Sequence, residues 1–235
     1  MKNTLMALGI LTILSCQTTQ STNSQNSNDR NVENSAVRTS TTPRSASKDA
    51  PTGIPDAHNK EFVQNYFNET YRNLANAVQG LSEEQLNFKT APDRWSILEC
   101  VEHIAVTQPE LFGYVSETMK QTPNSEKRSE IKSSDNDILT MMVNRSFKAQ
   151  APAEMQPTGK FKDVQTALAA LEKNQQNILG ELKNYSMEDL RNHVVAAPIG
   201  SIDAYQFMLF IPGHTARHTL QIQEVENHPN FPKAK

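Results

Sequence analysis

His214 and His218 carry the clearest chemical signal in this chain of 235 residues. Four residues apart on a helix, their rings project from one face with Cβ atoms about 6 Å apart, which lets both reach one cation. Two imidazoles alone leave a metal under-ligated, because a catalytic site of the zinc type takes three protein ligands and keeps a further position open. The third candidate is His103, set between Val101-Glu102 and Ile104-Ala105, beside an apolar stripe rather than on a charged face. Three imidazoles suit one divalent transition metal, zinc or nickel before iron or copper. Because the ligands bind as neutral rings, affinity is expected to fall as pH drops below about 6.5.

Other candidates are weaker. His193 follows the third long helical pattern and His228 precedes Pro229 beyond the last one, so both are expected in exposed loops. Cys100, three residues before His103, reads as a small buried hydrophobe, since free cysteine is among the most buried residue types. Glu99 belongs to a Ser-x-x-Glu capping box with Ser96. Gln221 and Glu224 lie a turn or so past His218, where a side chain can orient a ligand ring through its second nitrogen.

Four helices must position these residues. Glu61 to Gln79 places Phe62, Tyr66, Phe67, Leu74 and Val78 at three- and four-residue steps before Gly80, the pattern of an amphipathic helix with a stop. A second helix opens at the Ser96 capping box and carries Ile97, Val101, Ile104, Leu111, Phe112 and Val115 to about Lys120. Gln121 to Asp137 reads as loop, and Ile138 to Phe147 as a short extra helix before Pro152 and Pro157. Asp163 to Leu182 holds Val164, Ala167, Leu168, Leu171, Ile178 and Leu182 on one face. Ser201 to Val225 is the fourth, with Pro212 just ahead of His214. No strand alternation of useful length is legible, so the fold class expected is all-α, a four-helix bundle, with the metal held between facing helices.

Composition divides the chain. Lys2 precedes an apolar run from Leu5 to Leu14, broken only by Gly9 and Thr12. This is too short for the roughly 20 residues that span a bilayer and has the build of an export signal. Its ending, Ile13-Leu14-Ser15-Cys16, resembles the bacterial lipobox, which implies a signal peptide over 1–15 and lipidation at Cys16. From Gln17 to Asn59, 23 of 43 residues are Ser, Thr, Asn or Gln. Such a stretch buries too little apolar surface to offset its ordering entropy and is expected to be a disordered tether, with His58 a solvated residue. Residues 60–235 form one domain, large enough for a single core. A net charge of −3 with 23 basic and 26 acidic side chains excludes the basic surface that nucleic-acid binding needs.

The segment Trp95-Ser96-Ile97-Leu98-Glu99 with Glu102-His103, and the run from His214 through Arg217, His218 and Leu220 to Ile222, resemble the DinB-like superfamily of metal-binding four-helix proteins. Pro157-Thr158-Gly159-Lys160-Phe161 and Asn230-Phe231-Pro232 fit it too. The resemblance spans residues 60–235 and implies an up-up-down-down bundle with one divalent cation on His103, His214 and His218. It also implies thiol-transferase or metal-dependent hydrolase chemistry, while fold alone does not decide between reactions.

Two function classes follow. One is a metalloenzyme of the cell envelope acting on a small-molecule substrate or thiol, under a pocket formed by the connection from Gln121 to Lys162 with Met141, Met142, Phe147 and Pro152. The other is a non-catalytic metal-binding or scaffold lipoprotein. Expected partners are the membrane, through the lipid anchor, and optionally a second copy in a homodimer, with no nucleic acid.

Overall fold

A computed structural model describes residues 59–146 and 150–233. The signal-peptide and Cys16 expectations, the polar tether up to His58, and Phe147 lie outside the described residues.

Four long helices build the bundle: α1 (Lys60–Val78), α3 (Ile97–Met119), α5 (Val164–Leu182) and α7 (Ala204–Glu226). Each begins on a side chain that satisfies an orphan backbone N–H. Asn59 accepts from the amide of Phe62, Asp163 from Thr166, and Ser96 and Asp203 form capping boxes with Glu99 and Gln206. One end of the core is a cluster of Leu74 and Val78 from α1, Ile97, Cys100, Val101 and Ile104 from α3, Val164, Leu168 and Leu171 from α5, and Ile222 and Val225 from α7. The ends of α1 and α7 therefore meet the starts of α3 and α5. At the opposite end Tyr205 Oη donates to the carbonyl of Asn59, and Lys60 Nζ to that of Tyr185. Along the chain the helices run up, down, down, up. Round the bundle, where α1 neighbours α7, α7 neighbours α3 and α3 neighbours α5, they read up, up, down, down.

Shorter elements fill the connections. α2 (Glu83–Leu86) lies between α1 and α3, α4 (Asp135–Val143) packs along α7, and α6 (Met187–Asn192) follows α5. Two expectations change here. The stretch Gln121–Asp137 is not all loop: a 3₁₀ helix spans Ser125–Glu130, and α4 starts at Asp135 on a Ser134–Asp137 capping box, then ends at Val143. The fourth long helix does not start at Ser201, because β1 (Val194–Ala197) and β2 (Gly200–Asp203) form an antiparallel hairpin and Asp203 caps α7. Gly200, at φ +108°, takes the left-handed backbone at the turn that a side chain would strain.

Around the hairpin, Arg191 bridges Asp135 (2.6 Å) and Asp203 (3.0 Å) with its guanidinium 4.1 Å from the Tyr205 ring centre, which ties α4, α6 and α7 together. His193 is buried rather than exposed, its two ring nitrogens 2.7 Å from the carbonyl of Asp189 and 3.0 Å from that of Gln121. The ring sits between these two carbonyls as a brace between α6 and the end of α3.

Candidate metal centre

α3 brings His103, and α7 brings His214 and His218, to one point in the bundle. His214 Nε2 lies 3.3 Å from His103 Nε2 and 3.2 Å from His218 Nε2, and the three ligand atoms all fall within 4.8 Å of one another. His103 and His218 are buried and His214 half-buried.

The second nitrogens decide which tautomer each ring adopts. His103 Nδ1 is 2.6 Å from the main-chain carbonyl of Met155, and His218 Nδ1 is 3.0 Å from Gln221 Oε1. Both partners are acceptors, so Nδ1 carries the proton in each ring and Nε2 presents a lone pair. Both lone pairs, on His103 and His218, face Nε2 of His214. Metal–nitrogen bonds of about 2.0–2.1 Å in tetrahedral geometry set neighbouring nitrogens about 3.4 Å apart, close to the separations found. The donor set therefore fits a divalent ion.

Burial pushes all three rings away from the charged form. His103 is held below its ordinary value by desolvation, opposed by the Met155 hydrogen bond. His214 is lowered to about 3 by desolvation, then by the neighbouring His103 and Arg217. His218 is held well below the usual range by desolvation, then by His214, His103 and Arg145. Trp95 walls one side, its ring centre 4.7 Å from that of His103 and 5.9 Å from that of His218, while Phe210 stacks on His214 at 6.4 Å.

The other sequence candidates separate cleanly. Cys100 packs in the apolar cluster, not with the histidines, and burial pushes its thiol up to about 12. Glu99 completes the α3 cap and pairs with Lys89 at 2.7 Å. Glu224 is held by Arg145 through two hydrogen bonds of 3.1 and 2.8 Å, which leaves Gln221 as the residue that orients His218. His228 is half-buried rather than exposed, its ring centre 5.6 Å from that of Phe88. Met155 and Glu102 were not legible as site residues. Met155 acts through its main chain, and Glu102 looks like any solvated charge until its partners on the connection before α5 are seen.

Residues 66–222 match the DinB superfamily over two thirds of the chain. The chain belongs to the DinB superfamily. This DinB chain is 24% identical over 160 residues to "Uncharacterized protein YuaE" of Bacillus subtilis (strain 168), a match covering 68% of the chain and 94% of that relative. It also shares its fold with a solved structure described as "YfiT from Bacillus subtilis is a probable metal-dependent hydrolase with an unusual four-helix bundle topology". The two superpose with a TM-score of 0.55 at 13% identity, over 77% of this chain and 94% of the other. The mostly helical DinB architecture expected from the sequence is thus found, with only a two-strand hairpin added.

Proposed function

We propose that the chain is a metal-dependent hydrolase or thiol transferase in which Nε2 of His103, His214 and His218 hold one divalent transition metal, zinc or nickel. The observation that carries this reading is the convergence of three imidazole Nε2 atoms, with those of His103 and His218 left unprotonated by their Nδ1 partners. The description of YfiT as a probable metal-dependent hydrolase supports it.

A divalent cation bound by three imidazoles supplies Lewis acidity that ionises a coordinated water or thiol near neutral pH. The chain's own residues prepare the place. Met155 and Gln221 hold Nδ1–H of His103 and His218, which keeps their Nε2 atoms unprotonated and aimed inward. Trp95 covers the His103 and His218 rings and Phe210 stacks on that of His214, which walls the site with aromatic side chains. Among the described residues no carboxylate or thiol joins the three nitrogens, so a metal held there would keep a position for a small molecule.

Elemental analysis of the purified chain tests the assignment. One equivalent of divalent metal is expected, with occupancy lost in His103→Ala, His214→Ala and His218→Ala and kept in His193→Ala and His228→Ala. Near-stoichiometric metal in all three ligand variants would overturn it. Turnover of ester, amide and thiol-acceptor substrates that disappears with the metal distinguishes a hydrolase or transferase from a binding protein.

We further propose that the protein is an envelope lipoprotein anchored through Cys16, on the strength of the Lys2-to-Cys16 sequence. Two or more acyl chains suffice for stable anchoring without a spanning helix. Intact-mass measurement of membrane-extracted protein should give a lipid-bearing chain starting at residue 16; a mature start elsewhere contradicts it.

A further inference from the structure

We infer that Glu102 is a positioning residue for the candidate metal centre: by clamping the turn at Thr158–Lys160 it holds the Met155 carbonyl on His103. This role rests on the metal-centre reading only for its effect on the metal. Its effect on the His103 ring is independent of that reading.

Glu102 and His103 are consecutive on α3, so their side chains leave the helix about 100° apart. His103 faces α7, whereas Glu102 faces the segment that leads into α5. Glu102 is buried, 1% exposed, a setting a carboxylate tolerates only when its oxygens are satisfied. Oε1 accepts from the amides of Thr158 (2.7 Å) and Lys160 (3.0 Å), and Oε2 from that of Gly159 (3.2 Å). The Thr158 hydroxyl adds a longer contact to Oε1, at 3.4 Å. Three successive N–H groups aim at one carboxylate because Gly159 takes the left-handed conformation, φ +77°, the geometry of a backbone anion nest.

Three residues upstream of this nest, the Met155 carbonyl meets His103 Nδ1. The short 3₁₀ turn Ala153–Met155 is held locally, by Met155 N–H on the Pro152 carbonyl and by Gln156 Nε2 on that of Ala151. Those bonds shape the turn without fixing it to α3. Glu102 supplies that attachment, one residue from the ring being oriented. The strap is thus fastened to the helix it regulates, and the distance from Met155 O to Nδ1 depends on the Glu102 clamp.

Two variants loosen the clamp from opposite ends. Glu102→Gln keeps Oε1 but sets an amide N–H₂ against the Gly159 N–H. Gly159→Ala leaves α3 untouched and strains the turn through its positive φ alone, since a Cβ there meets nothing within 4 Å. Nitrogen-15 spectra of the imidazole rings in the metal-free full-length chain report the tautomer directly. The unaltered chain should show His103 protonated at Nδ1, and both variants should show mixed Nδ1–H and Nε2–H forms at His103 while His218 is unchanged. Zinc affinity should fall about 10–100-fold in both, the usual effect of removing a partner that orients a ligand. A single Nδ1–H form of His103 in both folded variants, or an undiminished zinc affinity in a chain that binds zinc, overturns the role of Glu102. Failure of the metal-centre reading shows separately, as no zinc uptake by the unaltered chain, and the tautomer measurement then still decides.

Discussion

Asn174 on α5 donates its side-chain amide to the main-chain carbonyl of Ala105 on α3, 3.0 Å away. That carbonyl is the one left without a helical donor by Pro109, which lies four residues on inside α3 and has no N–H. A neighbouring helix repairs the gap two residues from His103. Asn174→Ala should therefore cost about 1–2 kcal/mol, the penalty for an unsatisfied part-buried carbonyl. In a Pro109→Ala background, where the substituted residue supplies its own amide, the same change should cost much less. Urea melts of the four chains in the cycle check this; equal costs in both backgrounds would contradict it.

Gly213, between Pro212 and His214, faces Met142 of α4. A Cβ built there lies 2.9 Å from both Cβ and Cγ of Met142. The Met142 Cβ is anchored to the α4 backbone, so the helices have to separate. Alanine in mid-helix gains about 1 kcal/mol over glycine in propensity, but overpacking costs typically about 1–3 kcal/mol. Gly213→Ala is expected to lower the denaturation midpoint, and a raised midpoint would show that α4 yields freely.

The histidines make the metal-free protein sensitive to acid. Their folded-state values lie below the ordinary 6.5, His214 at about 3, so as pH falls the unfolded chain takes up protons first. Stability is full above about 6.5 and declines as pH falls toward the folded-state values, by at most about 1.4 kcal/mol per pH unit for each ring. Proton competition with the metal is displaced in the same direction, below the roughly 6.5 expected of unperturbed rings. Chemical denaturation between about pH 7 and 4.5 should show this slope, flattened in His214→Gln.

Cys100 is expected to be chemically silent. With its thiol buried and pushed up to about 12, it should resist a thiol-specific disulfide reagent in the native state and react only on unfolding. Cys100→Ala should keep its metal and lose about 1 kcal/mol of stability to a small core cavity. Loss of metal as complete as in a His→Ala variant would make the site a closed four-ligand one and favour a binding protein.

Much of this was readable in advance where periodicity or capping extends over several turns. The apolar steps from Phe62 to Val78 and from Val164 to Leu182 mark α1 and α5, and Ser96 with Glu99 marks the start of α3. Short elements escape because four residues carry no period. Even so, α2, α4 and α6 each open on a serine with its partner three residues on, at Ser82–Gln85, Ser134–Asp137 and Ser186–Asp189. The meeting of the three histidines was legible because His214 and His218 obey helical spacing and His103 sits on an apolar helix. Its supports were not, since a main-chain carbonyl at Met155 has no side-chain signature and Glu102 finds its partners 56 to 58 residues away.

The pairing of α1 with α7 as parallel neighbours has a consequence for how the protein comes into being. His103 meets His214 across 111 residues of chain, and Tyr205 meets Asn59 across 146. A growing polypeptide holds only one of the three imidazoles until its final helix has been synthesised, so no partial product assembles the candidate site. Closures at such separations cost loop entropy before they are rewarded, which slows folding relative to a bundle held by local contacts. On the proposed metal-centre reading, uptake of the ion is then the last event of maturation, a chemical signature that the whole domain has closed.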